Sequence, residues 1–81
     1  MQPISADHVA VGLAIKDRRM AKSLSQDALG EASRVSGNWI GMIERGEGNV
    51  CLTDLLRIAR ALDVPSAELV AAADQSGSEA A

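Results

Sequence analysis

The side chains with the most chemical promise in this chain of 81 residues lie close together. Gln26 sits in Leu24-Ser25-Gln26-Asp27-Ala28-Leu29. Ser36, Asn38, Trp39, Met42 and Arg45 follow in Val35-Ser36-Gly37-Asn38-Trp39-Ile40-Gly41-Met42-Ile43-Glu44-Arg45-Gly46. Each segment reads as a short helix opened by a serine, with Ser33-Arg34-Val35 as a tight turn between them. An amide such as Asn38 at the front of an exposed helix can pair with both adenine N6 and N7, and a thioether such as Met42 can touch a thymine methyl. Small and polar groups at the front of the second helix suit a helix N-terminus entering a DNA major groove.

Catalytic chemistry has less footing. The one histidine and the one cysteine, His8 and Cys51, are far apart in sequence, and no motif sets a nucleophile beside a base. Metal-ligand spacing is missing, and Gly46-Glu47-Gly48 has neither the strand nor the lysine of a phosphate loop. The expectation is a non-enzyme with no cofactor, no metal and no small-molecule ligand. His8 reads as a surface residue of the first helix. Cys51 reads as a small residue near a helix start, with a redox-sensing thiol as the alternative, since a helix N-terminus lowers a thiol pKa.

The elements that must position these groups are helical. Trp39 is the only aromatic residue, so a core must come from Leu, Ile, Val, Ala and Met, a mix that favours helices. A chain of this length makes one small domain. Prolines at 3 and 65 leave a long stretch free of that breaker. A single cysteine precludes an intrachain disulfide and fits a reducing cytoplasm. The N-terminus lacks a secretory pattern, and the apolar runs are far short of the roughly 20 residues of a membrane span. The net charge of −3 is unevenly spread. Residues 1–46 carry six cations (Lys16, Arg18, Arg19, Lys22, Arg34, Arg45) against five acids, hence +1; residues 47–81 carry Arg57 and Arg60 against six acids, hence −4. Acid is thus concentrated away from the expected reading segment, and nonspecific affinity for DNA should be weak.

Five helices are expected. The first starts after Ser5, an N-cap, with Asp7 in its first turn and a basic end at Lys16–Lys22; Val11 and Ile15 pair at i, i+4, with Val9, Leu13 and Met20 adding apolar surface. The second, about 25–32, turns Leu29 and Ala32 inward and tolerates Gly30 for the close approach of another helix. The third, about 36–45, turns Ile40 and Ile43 inward and Asn38, Gly41, Met42 and Arg45 outward. The fourth has the cleanest stripe, Leu52, Leu55, Leu56, Ala59 and Leu62. The fifth runs from about Ser66 to Ala73. Residues 1–7 form an arm and the start of the first helix, 8–73 the domain, and 74–81 a polar, disordered tail.

At these residues the chain resembles the Cro/C1-type, lambda-repressor-like helix-turn-helix family. The residues that carry the resemblance are Val11-Gly12, Ile15-Lys16, Arg19, Leu24-Ser25-Gln26, Leu29, Val35-Ser36, Ile40, Ile43-Glu44-Arg45-Gly46, Asn49, Leu52, Leu55, Ile58-Ala59, Ala61-Leu62, Val64 and Glu68-Leu69. The resemblance implies an all-α, compact five-helix domain that binds operator DNA as a homodimer. It implies that Gln26 holds a phosphate, that Gly37, Asn38 and Met42 lie at base-reading positions beside Trp39, and that Arg19 and Glu44 form a structural ion pair. Arg34 stands where the turn commonly has glycine; a left-handed backbone there would cost arginine energy, and the side chain could then reach a phosphate. Glu47 and Gly48 replace basic residues often found after the reading helix. Gly37 has no side chain to read a base, so the direct code is thin and DNA shape carries part of the specificity.

Blander roles compete with these. Ser36 caps its helix and can also meet DNA. Trp39 either packs or offers its indole N–H to the sugar-phosphate backbone. Lys16, Arg18 and Lys22 read as a solvated helix face. The expected function is a cytoplasmic, sequence-specific transcription regulator, a repressor on a two-fold operator of double-stranded DNA. Its DNA-binding residues are Gln26, Arg34, Ser36, Gly37, Asn38, Trp39, Met42 and Arg45, and its dimer contact uses Leu62, Val64, Leu69 and Val70. The alternative is a protein-interaction module, of antitoxin or anti-repressor type, that keeps the fold with little DNA specificity.

Overall fold

A computed structural model describes residues 2–80, with side chains through Gln75. The five helices are α1 (Ala6–Ala21), α2 (Gln26–Ser33), α3 (Gly37–Glu44), α4 (Leu52–Leu62) and α5 (Ser66–Ala80). The described residues include no strand. α5 is longer than the helix expected to stop at Ala73, and the tail expected over 74–81 lies largely outside the described side chains.

Serine sets three of the helix starts. Ser5, Ser25 and Ser36 take extended backbone, and their hydroxyls accept from the N–H of His8, Ala28 and Trp39, satisfying donors that have no partner within the helix. Cys51 holds the same position before α4 but makes no side-chain cap bond.

The helix ends share one device. After α1, α2, α3 and α4 the chain passes through a left-handed residue, at Ser23, Arg34, Gly46 and Asp63. The next N–H reaches five residues back each time: Leu24 to Arg19, Val35 to Gly30, Glu47 to Met42 and Val64 to Ala59, at 2.8–3.1 Å. Only one of the four positions holds glycine, the residue that adopts this backbone without strain.

Every helix contributes to the core, which consists of Ile15 from α1, Leu29 from α2, Ile40 and Ile43 from α3, Ile58, Ala59 and Leu62 from α4, and Leu69 from α5. Burying each large aliphatic side chain is worth about 1.5–3 kcal/mol. The α4 stripe differs from the expected one: Ile58 is fully buried, whereas Leu52 is 70% exposed because it sits in the first turn, ahead of the part of α4 that meets the core. Leu13 and Met20 are likewise exposed and lie off the buried face of α1. Leu62 and Leu69 are 1% and 0% exposed and close the core, which corrects their assignment to a dimer contact. Of that set, Val64 is half-buried against the core and Val70 is 42% exposed.

Candidate nucleic-acid interface

Two close approaches fix α3. Gly37, at its first turn, lies against α2: a Cβ there would overlap the Asp27 carboxylate and stand 2.9 Å from the Asp27 Cα. Gly12 does the same between α1 and the far end of α3, where a Cβ would overlap the Ile43 carbonyl oxygen and lie 2.8 Å from that of Glu44. Gly37 is therefore small because the helices cross there, whatever it does toward a base. Gly30 faces the carbonyl of Val35 and the N–H of Gly37, so the neighbour that keeps it small is the turn itself.

A polar network ties the same three helices together. Arg19 donates from Nε to Glu44 Oε2 at 2.6 Å, from Nη2 to Oε1 at 3.0 Å, and from Nη1 to the Leu24 carbonyl at 2.7 Å. Gln26 donates from Nε2 to Glu44 Oε1 at 3.1 Å. The pair is out of solvent, with side-chain exposures of 11% for Arg19 and 2% for Glu44. The hydrogen bond to Glu44 raises the Arg19 pKa above its ordinary value; burial opposes this and the Glu44 charge adds to it. Gln26 thus has one amide hydrogen committed inside the protein.

The outward side of α3 presents Asn38, which is exposed, and Met42, which is half-buried. Ser36 caps the helix, and Gly37 beside it is half-buried. Gly41, an outward residue by periodicity, is in fact buried: the Gln26 amide and an Arg45 guanidinium nitrogen lie over it, 3.1 and 3.2 Å from where a Cβ would be. Arg45 is exposed and donates from Nε to Glu47 Oε1 at 3.0 Å, so the acid following the reading helix partly neutralises its nearest cation. Lys16 lines the same hollow as Gln26 and Arg45. Arg18 instead pairs with Glu68 of α5 at 2.7 Å. Trp39 is half-buried and packs against the core, its ring edge close to Gly48. Arg34 takes φ 62 at the α2–α3 turn and is exposed, on the side of α2 that meets α4.

Sequence reasoning left two positions without the role the structure gives them. His8 is half-buried rather than a free surface residue. Its Nε2 lies 3.0 Å from Asn49 Oδ1 and its Nδ1 2.6 Å from Ser5 Oγ. An amide oxygen only accepts, so Nε2 donates to Asn49, and the Ser5 hydroxyl can pair with Nδ1. With the Ile4 N–H bonded to the Gly46 carbonyl at 2.8 Å, this clamps the N-terminal arm to the loop after α3. No sequence signal marks it, since the partners are 41 residues apart. Gly12 is the other, visible beforehand only as one residue of a family pattern.

The described residues hold no cluster able to bind a metal ion, and no described helix is long and apolar enough to cross a membrane. The geometry is that of a short helix held from behind by a buried network and presenting an amide, a thioether and an arginine. Residues 10–73 match the model of a helix-turn-helix domain family, and the chain belongs to that family. Among solved structures it is similar to the restriction-modification controller protein C.AhdI from Aeromonas hydrophila, with 40% identity over 80% of this chain and 98% of that one and a TM-score of 0.78. It is similar to the clp gene regulator ClgR from Corynebacterium glutamicum, with 31% identity over 91% and 79% of the two chains and a TM-score of 0.81. A variant of the restriction-modification controller protein C.Esp1396I is 25% identical over 89% and 91%, with a TM-score of 0.78. No curated protein matches. These neighbours are regulators, and the all-α helix-turn-helix architecture makes this chain a DNA-binding regulator of transcription.

Proposed function

We propose that the chain is a cytoplasmic repressor that binds a two-fold operator as a homodimer, with α3 in the major groove. The observation that supports this most is the position of Asn38: exposed in the first turn of a helix whose buried side is locked by Arg19, Glu44 and Gln26. Asn38 reads adenine, Met42 meets a thymine methyl, and Ser36 and Gly37 bring the α3 backbone close to the bases. Phosphates are held by the second amide hydrogen of Gln26, by Arg45 and by the indole N–H of Trp39, with Arg34 at the edge. Val70 and Val64 on the α5 side make the dimer contact, placing the two reading helices about 34 Å apart. Asn38→Ala tests the reading on an operator selected by the wild-type protein. Discrimination at one adenine of each half-site should fall by about 1–3 kcal/mol. Unchanged discrimination there, in a folded variant, would remove Asn38 as the reader.

A further inference from the structure

Six arginines occur in the chain, and they divide cleanly. Arg18, Arg19 and Arg45 are each paired with a carboxylate, Glu68, Glu44 and Glu47. Among the described residues Arg34, Arg57 and Arg60 pair with none, and all three line one surface hollow, floored by Ser33, Ala32 and Ala61, between the end of α2 and the second half of α4. All three are exposed. Arg57 and Arg60 stand at i, i+3 on one face of α4, where like charges repel. Arg34 adds a third cation from a left-handed backbone that arginine adopts at a cost. Ser33 is neutral, and its hydroxyl is committed to the Leu29 carbonyl at 2.7 Å. Asp54, three residues before Arg57 on α4, and Asp63, the C-cap three residues after Arg60, make no ion pair with either arginine among the described residues.

We infer that this hollow is a docking site for a carboxylate-rich segment of a second protein. Three arginines gathered with Ala32, Ser33 and Ala61 suit side-chain carboxylates, each of which can accept two parallel N–H bonds from a guanidinium. The hollow meets the DNA surface only at Arg34, on its edge: α2 packs on both α3 and α4, and Arg57 and Arg60 lie on the α4 side. Arg57 and Arg60 are also the only cations of a segment that otherwise carries acid, so an acidic partner is drawn to this spot and repelled around it. A regulator seated on DNA through α3 leaves Arg57 and Arg60 open to such a partner. The hollow and its three cations are there whether or not α3 reads an operator.

The test is an NMR titration of the isotope-labelled chain with a short oligoglutamate peptide at low salt, following the arginine Nε–H signals. Arg34, Arg57 and Arg60 should shift together while Arg18, Arg19 and Arg45 stay. The variant R57A/R60A changes two exposed positions to a good helix former, keeps its circular dichroism, and should bind the peptide about tenfold more weakly or worse. Its affinity for duplex DNA and the salt dependence of that affinity should stay at the wild-type value. Equal shifts at all exposed arginines, or wild-type peptide affinity in the variant, would overturn the site. A loss of DNA affinity in R57A/R60A, with the salt slope falling by about 0.9 for each phosphate no longer neutralised, would assign the hollow to backbone phosphates instead and overturn the protein partner.

Discussion

Arg19→Ala should be among the most damaging single changes in the chain, through the charge it strands. Glu44 keeps only 2% of its side chain in solvent, and Arg19 supplies two of the three side-chain hydrogen bonds to its carboxylate. Removing one member of a buried pair leaves an uncompensated charge and costs about 3–5 kcal/mol. A domain of this size has roughly 4–12 kcal/mol of total stability, so the loss is a large fraction of it. At about 4–8 °C per kcal/mol for a domain of this size, Tm should fall by more than 10 °C. Arg18→Ala is the internal control, because the Arg18–Glu68 pair is half in water and such pairs are worth about 0–1 kcal/mol. Urea and thermal denaturation of both variants, together with the apolar double variant Arg19→Met/Glu44→Leu, complete the experiment. The double variant should recover much of the loss, since it removes both charges. Because the Arg19 pKa is raised, its contribution is present throughout the range below the ordinary arginine value and is lost only as pH rises through the higher folded-state value. The difference between Arg19→Ala and wild type should therefore show no loss of this arginine's contribution from roughly pH 6 to 9. An Arg19→Ala variant as stable as Arg18→Ala, or a double variant no better than the single one, would rule out a stranded carboxylate as the cause.

Four further substitutions probe capping, close packing and backbone strain. Cys51→Ser gives α4 the cap its backbone is set to receive and should raise stability by about 0.5–2 kcal/mol in urea melts. Gly12→Ala forces a methyl onto the carbonyls of Ile43 and Glu44 and should cost about 1–3 kcal/mol, whereas Gly41→Ala meets only the side-chain ends of Gln26 and Arg45 and should melt close to wild type. Arg34→Gly relieves a left-handed arginine and should leave stability unchanged or raise it by up to about 1 kcal/mol, while weakening oligoglutamate binding.

What is legible in the sequence follows from the range of the interactions. Three serine caps are readable because a cap and its partner are three residues apart. The apolar periodicity locates the helices, but a stripe cannot say where along a helix its neighbours stop, so Leu52 reads as core and Ile58 falls outside the stripe. The left-handed residues after α1 and α4 are hidden because Ser23 and Asp63 carry no glycine signal. Arg19 and Glu44 come from family resemblance rather than from spacing, as any pair 25 residues apart must. The buried Leu62 and Leu69 show a second limit: apolar residues near the end of a small domain serve a core or a partner, and only packing decides. The gathering of Arg34 with Arg57 and Arg60 is likewise tertiary, made by α2 lying on α4.

Whether α3 reads DNA is decided by selecting bound duplexes from a random library at about 100 mM salt and sequencing them, with affinity then measured against salt. One two-fold motif is expected, with half-sites about ten base pairs apart, centre to centre, carrying adenine at a position that Asn38→Ala relaxes. Recovery of no motif by folded, soluble protein would rule out operator recognition by this chain.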